Sequence, residues 1–144
     1  MQNIESILEK KKIFIGKTAG DSMEPMLREG RDTVIIVPPV FPLKTGDVPV
    51  YRRDGHYTMH RIIKATPKRY YIAGDNRKGL ETDVKERDIV GVLAAFYRDK
   101  TYVSCDSPEY LAYAKKMCRR FPVRLWKDIM RRFCGKFIKV CKGR

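Results

Sequence analysis

The sequence predicts a mainly β domain, a sandwich or partly open barrel, followed by a basic amphipathic helical tail. Three observations carry that prediction. Short β-branched and aromatic runs recur between residues 12 and 104, divided by Gly, Pro and Asp turns. After Ser107-Pro108 the apolar residues change from strand spacing to helical spacing. Charge divides the same way. Of a net +14, residues 108–144 hold 12 Lys/Arg against 2 Asp/Glu, or +10, while the preceding 107 residues hold 19 against 15, or +4. A near-neutral β body, 1–106, is therefore expected to precede a basic tail, 107–144.

Taken in order, residues 2–11 place Ile4, Ile7 and Leu8 on one side of a short helix that needs tertiary support. Lys12 to Ala19 reads as a strand leading into a turn at Ser22. Glu24 to Arg28 suits a single helical turn, with Pro25 near its start and Gly30 closing it. Thr33 to Val37 is a β-branched strand halted by Pro38-Pro39. Asp47 to Tyr51 is another, and Pro49 argues for an edge because it brings no N–H to a ladder. Gly55 turns the chain into one strand from Tyr57 to Ala65, and Arg69 to Ala73 follows. Ile89 to Tyr97 and Thr101 to Ser104 form a hairpin across Arg98-Asp99-Lys100. In the tail, Ser107 caps a helix with Pro108 in its first turn. Leu111, Ala114, Met117, Cys118 and Phe121 make one apolar stripe. Trp126, Ile129, Met130, Phe133, Phe137, Val140 and Cys141 make a second, and Pro122 is expected to break or kink the helix between them.

Several classes are excluded. No run approaches 18 uninterrupted apolar residues, so no membrane-spanning helix is expected. Met1 to Lys12 is polar and lacks the apolar centre of a secretory signal, which points to a cytoplasmic chain. Cysteines at 105, 118, 134 and 141 contain no C-x-x-C pair and suit reduced thiols. His56 and His60 are four apart, but no Glu follows His56 and the segment reads as strand, so neither metal nor cofactor is expected.

The chemistry concentrates in a few pieces. Gly20-Asp21-Ser22-Met23-Glu24-Pro25-Met26-Leu27 has the form of a serine nucleophile in its housing, and His60-Arg61 follows 38 residues after Ser22. Gly74-Asp75-Asn76 comes next, with Asp83 eight positions beyond Asp75. Serine is a poor nucleophile at neutral pH, so a base and a carboxylate to steer that base decide whether it matters. Each residue also has an ordinary use. Ser22 can cap the turn before Glu24, His60 can be structural, Asp75 can form a turn, and Asp83 can be a solvated carboxylate.

Together with Gly46-Asp47-Val48 and Asp88-Ile89-Val90-Gly91-Val92, these pieces fall in the order seen in the signal peptidase I superfamily, which includes the self-cleaving repressors. The chain resembles that superfamily over roughly residues 12–97. The resemblance implies a signal-peptidase-like β core and a serine endopeptidase that cleaves a leader or precursor peptide through an acyl-enzyme. His60-Arg61 is similar to the Ser-His branch of archaeal and endoplasmic-reticulum signal peptidases, whereas Gly-Asp-Ser-Met-Glu-Pro looks more like the repressors. By that resemblance Ser22 is the nucleophile and His60 the general base. Asp83 completes the set, with Asp75 as the competing acid. The Ser22 N–H is the expected oxyanion donor, with Met23 and Pro25 beside it in the substrate site. Leader peptidases often supply a hydroxyl two residues before the nucleophile; here that position is Gly20. A histidine base must be neutral, so acylation is expected to decline below about pH 6.5.

The family's membrane anchor is missing from this sequence, which points to a cytoplasmic precursor or a docked protein as substrate. No helix-turn-helix fits into the residues before Ser22, which argues against a repressor. The competing class is a catalytically silent peptide-binding or membrane-peripheral module of the same fold. For the tail there are three readings: a helix pair covering the β body, a helix on an anionic membrane, and phosphate contacts without specific nucleic-acid recognition.

Overall fold

The computed structural model describes residues 3–141, with side chains described as far as Cys134. Asn3 caps the first helix, α1 (Ile4–Lys11), by accepting a hydrogen bond from the Glu5 N–H at 3.1 Å, and Lys12 ends it in the left-handed region. Leu8 is the buried residue of α1. Strands β1 (Phe14–Lys17), β2 (Thr33–Val37), β3 (Pro49–Arg53), β4 (His56–Met59), β8 (Ile89–Arg98) and β9 (Thr101–Ser104) form the larger sheet. Strands β5 (Arg61–Ala65), β6 (Tyr70–Ala73) and β7 (Glu81–Val84) form the smaller one. The long helix α2 (Pro108–Cys141) completes the chain.

The larger sheet has the order β1-β2-β8-β3-β4, every neighbour antiparallel, with β9 on the second half of β8. The register slips between Ile35 and Ile36 on one side of β8, and between Val50 and Tyr51 on the other. Such irregularities strengthen twist and bend a sheet. The result is a half-barrel whose two free edges, β1 and β4, line the same cleft. The pairings also make β1 and β4 run in the same direction, both toward the Ser22 and His60 end. Inside the curl, Met23, Met26 and Leu27 pack with Leu8, Val34, Ile36, Val50 and Phe96. A second cluster, including Tyr51, Ile62, Tyr70, Ile72 and Val84, joins the two sheets.

The mainly β fold and the basic helix stand as the sequence predicts, and several details differ. Pro49 is not on an edge: β3 lies between β8 and β4. Pro49 is tolerated because it opens the strand, where its missing N–H interrupts least. Tyr57 to Ala65 is not one strand. The chain leaves the larger sheet after Met59 and enters the smaller one at Arg61, with His60 at the crossing. Residues 22–26 form hydrogen-bonded turns and residues 27–28 follow irregularly, in place of the helical turn expected over Glu24 to Arg28. β7 is an additional strand, short and mostly polar, recruited by its pairing with β6.

α2 continues through Pro122 without a break. The proline removes one helix bond, at a cost of about 3 kcal/mol. Contacts with the β body on both sides of the ring, from Phe121 and from Arg124, hold the helix there. Of the first stripe Ala114, Met117 and Phe121 cover the body, but Leu111 is exposed and Tyr110, not expected in the stripe, is buried in its place; Trp126, Ile129, Met130 and Phe133 are exposed. The expected helix pair is thus a single helix, and Phe137, Val140 and Cys141 lie outside the described side chains.

Candidate active site

Ser22 stands in a turn pinned from both sides. Met23, Met26 and Leu27 are sunk in the core, and Leu27 N–H bonds back to the Met23 carbonyl at 3.0 Å. From the other side, Asn76 N–H donates to the Ser22 carbonyl at 2.9 Å, and Asn76 Nδ2 donates to the Asp21 carbonyl at 3.2 Å. Gly20 enters this turn in the left-handed region at φ 79° and donates its N–H to Glu29 at 2.9 Å. Among the described residues, the Ser22 N–H takes no protein acceptor.

His60 is placed by its neighbour. Arg61 is fully buried and binds Asp75 bidentately, Nε to Oδ1 and Nη2 to Oδ2, both at 2.8 Å. Its remaining donors reach the Gly46 carbonyl at 2.9 Å and the Tyr110 hydroxyl at 3.2 Å, and Tyr113 donates to Asp75 at 3.0 Å. Burial alone would weaken the guanidinium's charge, but Asp75 and Tyr110 hold its pKa above the usual arginine value. A buried charge so fully bonded has little freedom, and breaking such a pair costs about 3–5 kcal/mol. The first residue of β5 is thereby fixed, and His60 with it.

The imidazole has two differently occupied edges. His60 Nδ1 lies 2.8 Å from Glu81 Oε1 and 3.1 Å from the Tyr51 hydroxyl, which itself donates to Glu81 at 2.7 Å. Arg53 closes the group through an ion pair to the other Glu81 oxygen. Burial pushes the Glu81 carboxyl up, but hydrogen bonds from His60 and Tyr51 outweigh it and hold the group below the usual carboxylate range. An ionised Glu81 can only accept, so Nδ1 donates to it, and whenever the imidazole is neutral the free lone pair is on Nε2. The other edge faces the serine turn. A Cβ added to Gly74 would lie 3.2 Å from His60 Cδ2 and 2.6 Å from the Ser22 carbonyl oxygen. Gly74 thus lies between the Ser22 carbonyl and the imidazole, with no room for a side chain. No hydrogen bond joins Ser22 Oγ to His60 among the described residues.

The expected acids are placed otherwise. Asp83 is 74% exposed and sits 3.6 Å from Arg53, and it makes no hydrogen bond or ion pair with His60. Asp75 is spent on Arg61. Register is the reason: Glu81 pairs with Ile72, which pairs with Ile62, whereas Asp83 lies two residues farther along β7. That spacing carries Asp83 roughly 6.5 Å away. The site thus gains Glu81 and Tyr51 as groups that the sequence reading did not include. Neither carries a sequence signal for the site: Tyr51 reads as an ordinary strand residue and Glu81 as a loop acid, and only the pairing brings them together.

A cleft of about 390 Å³ opens between β1 and β4, lined by Phe14, Lys17, Ser22, Met23, Tyr57 and Met59 among others. Pro25, expected beside the substrate, is exposed on the outer side of the turn and does not line it. Ile4 reaches the cleft, and Tyr57 ties β4 to α1 through Asn3 and Glu5, the latter at 2.8 Å. A larger cavity of about 650 Å³ between α2 and residues 37–48 contains none of Ser22, His60 or Glu81.

A scan of protein families matches residues 2–94 to the Peptidase S24-like family. Comparisons with curated proteins and with solved structures return no match. A half-barrel with a serine turn at its rim, matched over more than half its length, places the sequence in one group: the chain belongs to the S24-like peptidase family.

Proposed function

We propose that the protein is a serine endopeptidase of the signal-peptidase type, acting on a leader or precursor peptide, with Ser22 as nucleophile and His60 as general base. Glu81 replaces Asp83 and Asp75 as the group that holds the base in its working tautomer. The observation that carries this reading is the two-sided imidazole: one nitrogen is bonded to a half-buried carboxylate, and the opposite edge lies beside Gly74, whose other neighbour is the Ser22 carbonyl.

The substrate enters as an extended strand between β1 and β4, whose unpaired edges face one cleft. Main-chain hydrogen bonds to both edges complete the barrel and set the scissile bond beside Ser22. His60 Nε2 then takes the Ser22 hydroxyl proton as Oγ attacks the carbonyl. The imidazolium forms against Glu81, and the oxyanion meets the Ser22 N–H. The imidazolium returns its proton to the leaving amine, and water repeats the sequence to release the acyl group. Apo structures often hold catalytic hydrogen bonds long or unmade, so the open Ser22 Oγ is compatible with this sequence.

That same open contact is the observation favouring the second reading, a module of this fold that holds peptides without cutting them. Cells carrying Ser22→Ala separate the two. Under the proposal, uncut precursors accumulate, and mass spectrometry identifies them by an N-terminal extension absent from wild type. A peptide profile identical in both strains would overturn it.

A further inference from the structure

Helix α2 changes the face on which it carries its apolar residues. Tyr110, Ala114, Met117 and Phe121 follow one another at helical spacing and are buried against the β body. Carried forward, that face passes through positions 124 and 128, and these are polar. Arg124 donates to the carbonyl oxygens of Asp75 at 2.8 Å and Arg77 at 2.5 Å, and Asp128 pairs with Lys78 at 3.2 Å. Trp126 lies five residues beyond Phe121, roughly 140° around the helix. Trp126, Ile129, Met130 and Phe133 then form one stripe with i, i+3, i+4, i+7 spacing, and the four are 61%, 43%, 43% and 62% exposed. The stripe looks away from the protein.

Its surroundings select the occupant. Residues 119–134 hold six Lys/Arg against one Asp, and Lys127 and Arg132 are exposed on either side of the stripe, Arg132 also pairing with Asp128 at 3.0 Å. A second copy would bring another +14 charge onto these same cations. A nucleic acid would need cations at the centre of the face, and Trp126, Ile129 and Phe133 stand there instead. An anionic lipid surface satisfies both zones: the acyl boundary receives the stripe, and the headgroups receive the basic flanks.

We propose that the Val123–Phe133 face of α2 docks this protein onto anionic lipid surfaces, with Trp126, Ile129, Met130 and Phe133 inserted and the flanking Lys127 and Arg132 at the headgroups. The opposite face of the helix is bonded to residues 75–78, directly after Gly74 beside Ser22 and His60. Docking therefore brings that loop to about one helix diameter, roughly 10–12 Å, from the lipid. The docking surface stands whether or not Ser22 is a nucleophile.

Trp126 is the only tryptophan in the chain, so it reports on its own insertion. The full-length protein is titrated with phosphatidylcholine vesicles with and without phosphatidylglycerol, some carrying brominated acyl chains. Expected are a blue shift of emission and bromine quenching with the anionic vesicles only, both weakened by salt. Phe133→Asp and Ile129→Asp alter exposed side chains, so the fold is retained by circular dichroism, while each weakens partitioning at least about tenfold. Serine labelling in lipid-free solution is unchanged in both variants, which keeps this test separate from that of the peptidase. An unshifted Trp126 with anionic vesicles would overturn the proposal. So would wild-type partitioning by both variants, a lipid-free dimer that buries Trp126, or an equal blue shift on adding single-stranded RNA.

Discussion

Replacing Gly74 with alanine probes the contact on which the catalytic reading depends. The added methyl would meet the Ser22 carbonyl oxygen at 2.6 Å, Arg77 Cγ at 2.9 Å and His60 Cδ2 at 3.2 Å. Arg77 is a flexible side chain and can swing away. The Ser22 carbonyl cannot do so freely, because Asn76 N–H holds it from one side and buried Met23 anchors the next residue. Gly74 itself is outside the left-handed region, so alanine meets no backbone penalty and the effect is steric. Relief requires the serine turn and the imidazole to part by several tenths of an ångström. Overpacking of this kind costs about 1–3 kcal/mol of stability, and misplacement by about 1 Å in an active site can cost 10²-fold in rate. Gly74→Ala should therefore fold, lose about 1–3 kcal/mol in urea denaturation, and react with a fluorophosphonate roughly 10- to 100-fold more slowly than wild type. Gly79→Ala, where nothing lies within 4 Å of the new methyl, is the control and should match wild type. A folded Gly74→Ala protein reacting at the wild-type rate would refute the claim that Ser22 and His60 cooperate across this glycine.

Four more outcomes follow from the same geometry. Glu81→Gln should slow acylation by about 10²- to 10⁴-fold, while Asp83→Asn, altering an exposed side chain, should stay within about twofold of wild type; the reverse ranking would restore Asp83 to the site. Asp75→Asn leaves Arg61 buried without its counter-charge and should cost about 3–5 kcal/mol in urea denaturation, with substantial recovery in the apolar double variant Asp75→Leu, Arg61→Met. Because the folded protein holds Glu81 below the usual carboxylate value of 4.5, the unfolded chain binds its proton more readily. The Glu81 contribution is present above that value and is lost as pH falls through the lower folded value, so wild type should lose more stability than Glu81→Gln between about pH 5 and pH 3. Burial pushes the Cys105 thiol up to about 11, whereas Cys134 is exposed, so iodoacetamide at pH 8 should modify Cys134 well before Cys105 in peptide maps of the native protein.

The order of motifs was legible because each has a local physical signature. Gly20 opens a left-handed turn, Met23, Met26 and Leu27 supply buried weight for it, and His60-Arg61 arrives after a β run. The meaning of Gly74-Asp75-Asn76 was hidden, since its three residues act on three different partners. Gly74 makes room, Asp75 neutralises Arg61, and Asn76 clamps the Ser22 carbonyl. Glu81 was hidden for another reason. Glu-Thr-Asp-Val has weak strand character and two acids on one side, and only its register on β6 puts Glu81 rather than Asp83 against His60. Periodicity located the buried Ala114, Met117 and Phe121 of α2 but put exposed Leu111 in place of buried Tyr110. It did not reveal that the two stripes lie on opposite faces of one unbroken helix, because that depends on which face the β body occupies.

The most direct test is covalent. The folded protein is treated with a fluorophosphonate and the modified residue is located by peptide mass spectrometry in wild type, Ser22→Ala and His60→Ala. Adduct on Ser22 alone, lost in both variants while circular dichroism stays native, is the expected result. A wild-type protein that takes up no probe at Ser22, or a His60→Ala variant labelled at the wild-type rate, would contradict activation of this serine by this histidine.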